Sequence, residues 1–129
     1  MRRNATIIGA LLAALVWDAT GVLAGPWEDG MAAYNRGDYV PAVQVFRAMA
    51  KQGNTEAQHL LGQMYRRGQG VKRSSARAFM LFNRASAGGD ARAKADLHEI
   101  SRSMTAAELS RARAMMQACE ASDYRDCPY

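Results

Sequence analysis

Setting carboxylates, lysines and methionines aside, the side chains with the chemistry of bases, thiol nucleophiles or soft metal ligands are His59, His98, Cys119 and Cys127. The histidines are 39 residues apart and form no pair at helical metal-ligand spacing, and neither cysteine has a histidine close in sequence, so no zinc site is predicted. No Ser is followed three residues later by Lys, which excludes the Ser-x-x-Lys acylation motif. Gly68-Gln69-Gly70 has the glycines of a phosphate loop, but no strand precedes it and no Gly-Lys-Ser/Thr follows. Carboxylates such as Glu28-Asp29, Asp123 and Asp126 lie near the chain's ends, where solvation and capping are their ordinary roles. No catalytic residue, metal or cofactor is therefore expected. Cys119 and Cys127 are too far apart for a redox motif, whose cysteines usually stand two residues apart at a helix start. In an oxidising compartment they predict a short disulfide loop, worth about 2–3 kcal/mol, that staples the tail to the last helix. Two free thiols are the alternative.

The compartment is read from the first 24 residues. Arg2 and Arg3 are followed by an apolar stretch from Ala5 to Trp17, and Val22-Leu23-Ala24 precedes Gly25. This is the pattern of a secretory signal cleaved between Ala24 and Gly25. The stretch is shorter than the roughly 20 residues that cross a bilayer, and Asp18 interrupts it, so an uncleaved anchor is the alternative. Pro26 stands where a lipoprotein signal needs Cys. A periplasmic or secreted location follows. Cleavage leaves 105 residues with 15 basic and 11 acidic side chains, net +4. In an exported protein that charge fits a solvated helical surface, or weak contact with an anionic surface, better than nucleic acid.

These residues are held by helices. Ala, Leu, Met, Gln, Arg and Glu dominate, and few segments alternate as strands do. The organisation is a repeat of 36 residues. Asp38, Ala42, Val45, Phe46, Met49 and Gly53 become Ser74, Ala78, Leu81, Phe82, Ala85 and Gly89 one period on, and Asn54, Ala57 and Leu61 become Asp90, Ala93 and Leu97. Asp38, Ser74, Asn54 and Asp90 predict N-caps, the apolar residues one helix face, and the glycines left-handed helix ends. The spacing predicts helices over 27–36, 39–52, 55–67, 75–87, 91–102 and 106–120, the last opening on the capping box Thr105-Ala106-Ala107-Glu108. No such helix buries its stripe alone, and stacked pairs do. The seven methionines after Met1 are expected to fill gaps between small-residue faces. A Met-rich recognition groove is the sharper alternative.

The second unit reads Ala57-Gln58-His59-Leu60-Leu61-Gly62-Gln63-Met64-Tyr65-Arg66-Arg67-Gly68-Gln69-Gly70-Val71, then Ala78, Phe82, Ala85 and Gly89. This resembles the Sel-one-like repeat, a relative of the tetratricopeptide repeat, with the pattern A-x-x-x-L-G-x-x-Y-x-x-G-x-G-V before a second helix. Ala57, Leu61 and Tyr65 line one face, Gly62 admits a neighbouring helix, Gly68 and Gly70 turn the chain and Val71 plugs the turn. Residues 54–89 make the full unit. Residues 30–53 resemble a first unit without the longer Gly-x-Gly-Val loop. Residues 90–118 resemble a degenerate closing cap in which His98 replaces Gly62 and Ser101 replaces Tyr65, and residues 119–129 form the tail.

The resemblance implies an all-α, α/α superhelical solenoid of about three helix pairs, acting as a non-catalytic protein–protein interaction module or adaptor of the bacterial envelope, with a protein or peptide partner and a monomeric state favoured. In such solenoids the first helices of each pair line the concave face. His59, Gln63 and Arg66, the positions left polar once Ala57, Leu61 and Tyr65 face inward, are the expected partner contacts. The basic cluster Arg66, Arg67, Lys72, Arg73 and Arg77 brackets the turn of the second unit and is expected either to be solvated or to steer an acidic partner. A small cell-wall hydrolase, related to cysteine-rich members of the family, and a basic module on anionic membrane are the alternative functions. The first is disfavoured by a single terminal cysteine pair and the lack of a nucleophile–base arrangement.

Overall fold

The computed structural model describes residues 25–129. The expected signal segment 1–24, with Ala24 at its end, lies outside the described residues. Among the described residues six helices follow one another, α1 (Pro26–Arg36), α2 (Tyr39–Lys51), α3 (Thr55–Arg67), α4 (Ser75–Ala87), α5 (Ala91–Ser103) and α6 (Ala106–Ala121). Their bounds fall within a residue of those read from the sequence. The fold is an all-helical α/α solenoid, in which α1 packs on α2, α2 on α3, α3 on α4 and α4 on α5. Among the described residues no helix is long and apolar enough to cross a membrane.

The period is visible in the backbone. Gly53 (φ 90°) and Gly89 (φ 99°) both take the left-handed conformation open to glycine. The next amide donates back across each turn in the same way, Asn54 to the carbonyl of Met49 (3.1 Å) and Asp90 to that of Ala85 (3.0 Å). Asn54 and Ser74 accept from the amides of Ala57 and Arg77, Asp90 accepts from those of Arg92 and Ala93, and Thr105 with Glu108 closes the expected capping box. Asp38 departs from expectation. It stands at the N-cap of α2 but makes no side-chain cap bond, and its carboxylate takes the Arg36 guanidinium at 3.1 Å instead. The tight turn after Gly37 brings that competing donor close.

The core follows the repeat, with a shift. Ala42, Phe46, Ala50, Ala57, Leu61, Met64, Ala78, Met80, Leu81, Phe82 and Ala85 are fully buried. Val45 and Met49 are only half-buried, and Val43 and Ala50 take their expected inward places on α2. Gly62 is required by close approach, because a Cβ there would stand 2.6 Å from the buried Phe82 ring. A Cβ on Gly70 would stand 2.6 Å from the Tyr39 carbonyl group, so the α3–α4 turn rests directly on the start of α2. All seven methionines of the described residues belong to the core or pack against it.

The closing helices do not form a pair like the others. α6 packs on α4, and α5 and α6 scarcely meet. The cause is local. Helices α1 and α3 end on left-handed Gly37 and Gly68, which reverse the chain, whereas α5 ends on Met104 in extended conformation. The chain leaves α5 without folding back, and α6 crosses to α4. Cys119 and Cys127 then bring the tail back, their sulfurs at disulfide distance and their Cα atoms 4.4 Å apart.

Candidate interaction site

Helix α3 presents His59, Gln63 and Arg66 on one side, as its spacing requires. They do not stand free. Asp96 of α5 faces all three. Its Oδ2 accepts from Gln63 Nε2 at 2.6 Å and lies 2.7 Å from His59 Nε2, while its Oδ1 is 3.6 Å from Arg66 Nη1. Arg66 also reaches Glu99 at 3.4 Å. The three side chains of α3 and Asp96 thus form a clasp between the second and third units, centred on one carboxylate that is only 16% exposed.

The clasp alters the reading of the expected contacts. His59 is 6% exposed, its ring tilted against Phe82 at 5.7 Å between centroids. It is not available as a surface contact, because the carboxylate of Asp96 gives a buried imidazole its partner. With Nε2 turned to Asp96, Nδ1 has no hydrogen-bond partner, nor has Gln63 Oε1. A histidine beside an aspartate is also the base–orienter half of a catalytic arrangement. A nucleophile would have to stand at Nδ1, and among the described residues no hydroxyl or thiol meets that nitrogen. Gln63 and Arg66 keep an exposed edge, and Glu99, 67% exposed, stands beside Arg66. That edge is the accessible part of the site.

The basic cluster is divided in the structure. Arg66 belongs to the clasp. Arg77 donates from Nε to the Pro128 carbonyl at 3.1 Å and stacks over Tyr65 at 5.6 Å, tying the tail to the second unit. Arg67, Lys72 and Arg73 are exposed. Among the described residues no group of three or more His, Cys, Asp and Glu side chains could hold a metal ion.

The helix pair with its glycine turns, Gly62 under Phe82 and Gly70 on Tyr39, is the part of the chain that resembles a known repeat. The family model of the Sel1 repeat matches residues 55–90. The match covers one helix pair, α3 with α4. Comparison with curated proteins finds no match. Sel1 repeats are protein–protein interaction modules, and Sel1 repeat proteins are in general non-catalytic adaptors. The clasp was not legible because Asp96 lies 37 residues from His59 and 33 from Gln63. One signal was present. Asp96 falls one period after Leu60, so an acid replaces an apolar residue on the helix that follows.

Proposed function

We propose that this Sel1-repeat chain is an exported, non-catalytic adaptor that holds a protein or peptide partner along the edge shared by α3 and α5. The Sel1 match over residues 55–90 carries the proposal. The clasp supports its placement. It fixes α3 against α5 and leaves Gln63, Arg66 and Glu99 at a rim where a partner's polar groups can reach them. His59 is then a positioning residue. The exposed Arg67, Lys72 and Arg73 add a basic margin that favours an acidic partner. Export rests on the pattern of residues 1–24 and on cysteines placed to pair in an oxidising compartment.

Crosslinking in the native envelope, followed by identification of the captured protein, tests the reading. One partner should be enriched by the native chain and lost on charge reversal at Arg66, Arg67 and Arg73. Capture that is indifferent to those charges would remove the proposed face, and recovery of the chain from the cytoplasm with residues 1–24 retained would remove export.

A further inference from the structure

A cleft of about 330 Å³ opens between the first turn of α3, the last turns of α4 and the end of α6. It shares no residue with the α3–α5 clasp. Ligand sites run from roughly 300 to 1,000 Å³, so this one holds a single small molecule and no helix. Its apolar lining is Met116 and, beneath the surface, the fully buried Met80, thioethers that adapt to an aliphatic or sulfur-containing side chain. Its charged groups are Arg84 of α4 and Glu120 of α6. Neither forms an ion pair, with the other or with any described residue. Arg84 is nevertheless held in place. Its guanidinium lies 3.8 Å from the centre of the Tyr124 ring, and Nη1 is 3.7 and 3.9 Å from the two disulfide sulfurs. Gln58 also lines the cleft and is 2% exposed. Its Nε2 donates to the Ala50 carbonyl at 3.1 Å, which fixes the orientation of the amide, and its Oε1 has no partner. A buried acceptor without a donor is costly, and a ligand N–H relieves that cost.

We infer that this cleft binds a free apolar α-amino acid as its zwitterion. The ligand's carboxylate meets the preset guanidinium of Arg84. Its ammonium group is received by Glu120 and Gln58 Oε1, and its side chain lies against Met116, over the buried Met80. An internal peptide segment lacks both charges, and a peptide end lacks one. The zwitterion supplies opposite charges on one small skeleton, matching two opposite charges that line one cleft without pairing.

The test is an NMR titration of the purified, oxidised protein with L-leucine and L-methionine, followed through the Met80 and Met116 methyl signals. N-acetyl-L-leucine removes the ammonium and L-leucinamide removes the carboxylate. Saturable shifts are expected with leucine and methionine, and each analogue should bind about tenfold more weakly, the worth of one charged hydrogen-bonding partner. Glu120→Gln, at an exposed position, should weaken leucine about tenfold and leave N-acetyl-leucine unchanged. The inference is overturned if no ligand moves those methyl signals, if leucine and its two analogues bind alike, or if a leucine peptide blocked at both ends binds more tightly than leucine.

Discussion

Helices α3 and α4 completely bury Leu61, Met64, Met80, Leu81 and Phe82, while α5 and α6 bury only Ala93, Ile100, Ala112 and Cys119. The second unit is held together by large apolar side chains that interlock across a glycine. The closing helices contribute small ones and are attached by other means, namely the Asp96 clasp, the Asp90 cap, the capping box of α6 and the Cys119–Cys127 link. Among the described residues no further helix packs beyond them, and a unit without a neighbour on one side has less apolar surface to bury. Here polar and covalent contacts take over where the core thins.

Phe82→Ala breaks this contrast at its strongest point. The ring projects from α4 and fills the space over Gly62 of α3, so its loss should cost about 3–5 kcal/mol of global stability in denaturant unfolding. A loss below about 1 kcal/mol would show that the second unit is not the common core. Replacing Cys119 and Cys127 together with Ser tests the other side. Stability should fall by about 2–3 kcal/mol, as a short loop released in the unfolded chain implies. Hydrogen exchange should accelerate across α6 and the tail, with α3 and α4 remaining protected. Uniform acceleration through all six helices would erase the distinction between the two regions.

The two regions also differ in how far the sequence reveals them. Cap residues, turn glycines and the Ala57–Leu61–Tyr65 face are local, each fixed by neighbours within a turn or two; Asn54, Gly53, Ala57 and Leu61 are readable at a spacing of 36, and Tyr65, Gly68 and Gly70 through the family resemblance. Gly62 and Phe82 are equally readable through the family resemblance. Contacts between units are not local. Nothing in the spacing of α3 shows that Asp96 takes up His59 and Gln63, so residues expected to meet a partner meet α5 instead. The crossing of α6 to α4 follows from the extended Met104, a backbone choice that Ser103-Met104-Thr105 does not announce. The cleft at Arg84 depends on Tyr124 and Cys127 returning from the tail.

Asp96→Ala sharpens the comparison by removing the polar tie alone. It strips the acceptor from Gln63 Nε2 and the partner from His59, and should cost about 2 kcal/mol, the scale for leaving buried polar groups unpaired. A double-mutant cycle with His59→Ala isolates the shared part. Additive single losses would mean that the clasp does not join the two units.

The smallest expected effect is one of pH at the joint between them. Asp90 caps α5, and its carboxyl is lowered to about 2 from an ordinary 3.8, first through its hydrogen bond to the Arg92 side chain, then through the amide of Ala93 and the charge of His59. Arg92 in turn reaches Glu56 of α3 at 3.6 Å. A carboxyl held low in the folded state favours folding above its unfolded value, and that contribution fades as pH falls from about 4 towards 2. Because the Arg92 side chain is 58% exposed and screened by solvent, the loss should be on the order of 1 kcal/mol. Urea unfolding at pH 5 and pH 2 measures it against Asp90→Asn, which keeps an N-cap acceptor and has no carboxyl to titrate. Glu108 is also lowered, chiefly by the Thr105 backbone amide, and titrates in both proteins, so the difference between them reports Asp90. The native chain should lose more stability on acidification than the variant. Equal losses would assign the cap's contribution to its geometry and none of it to its charge.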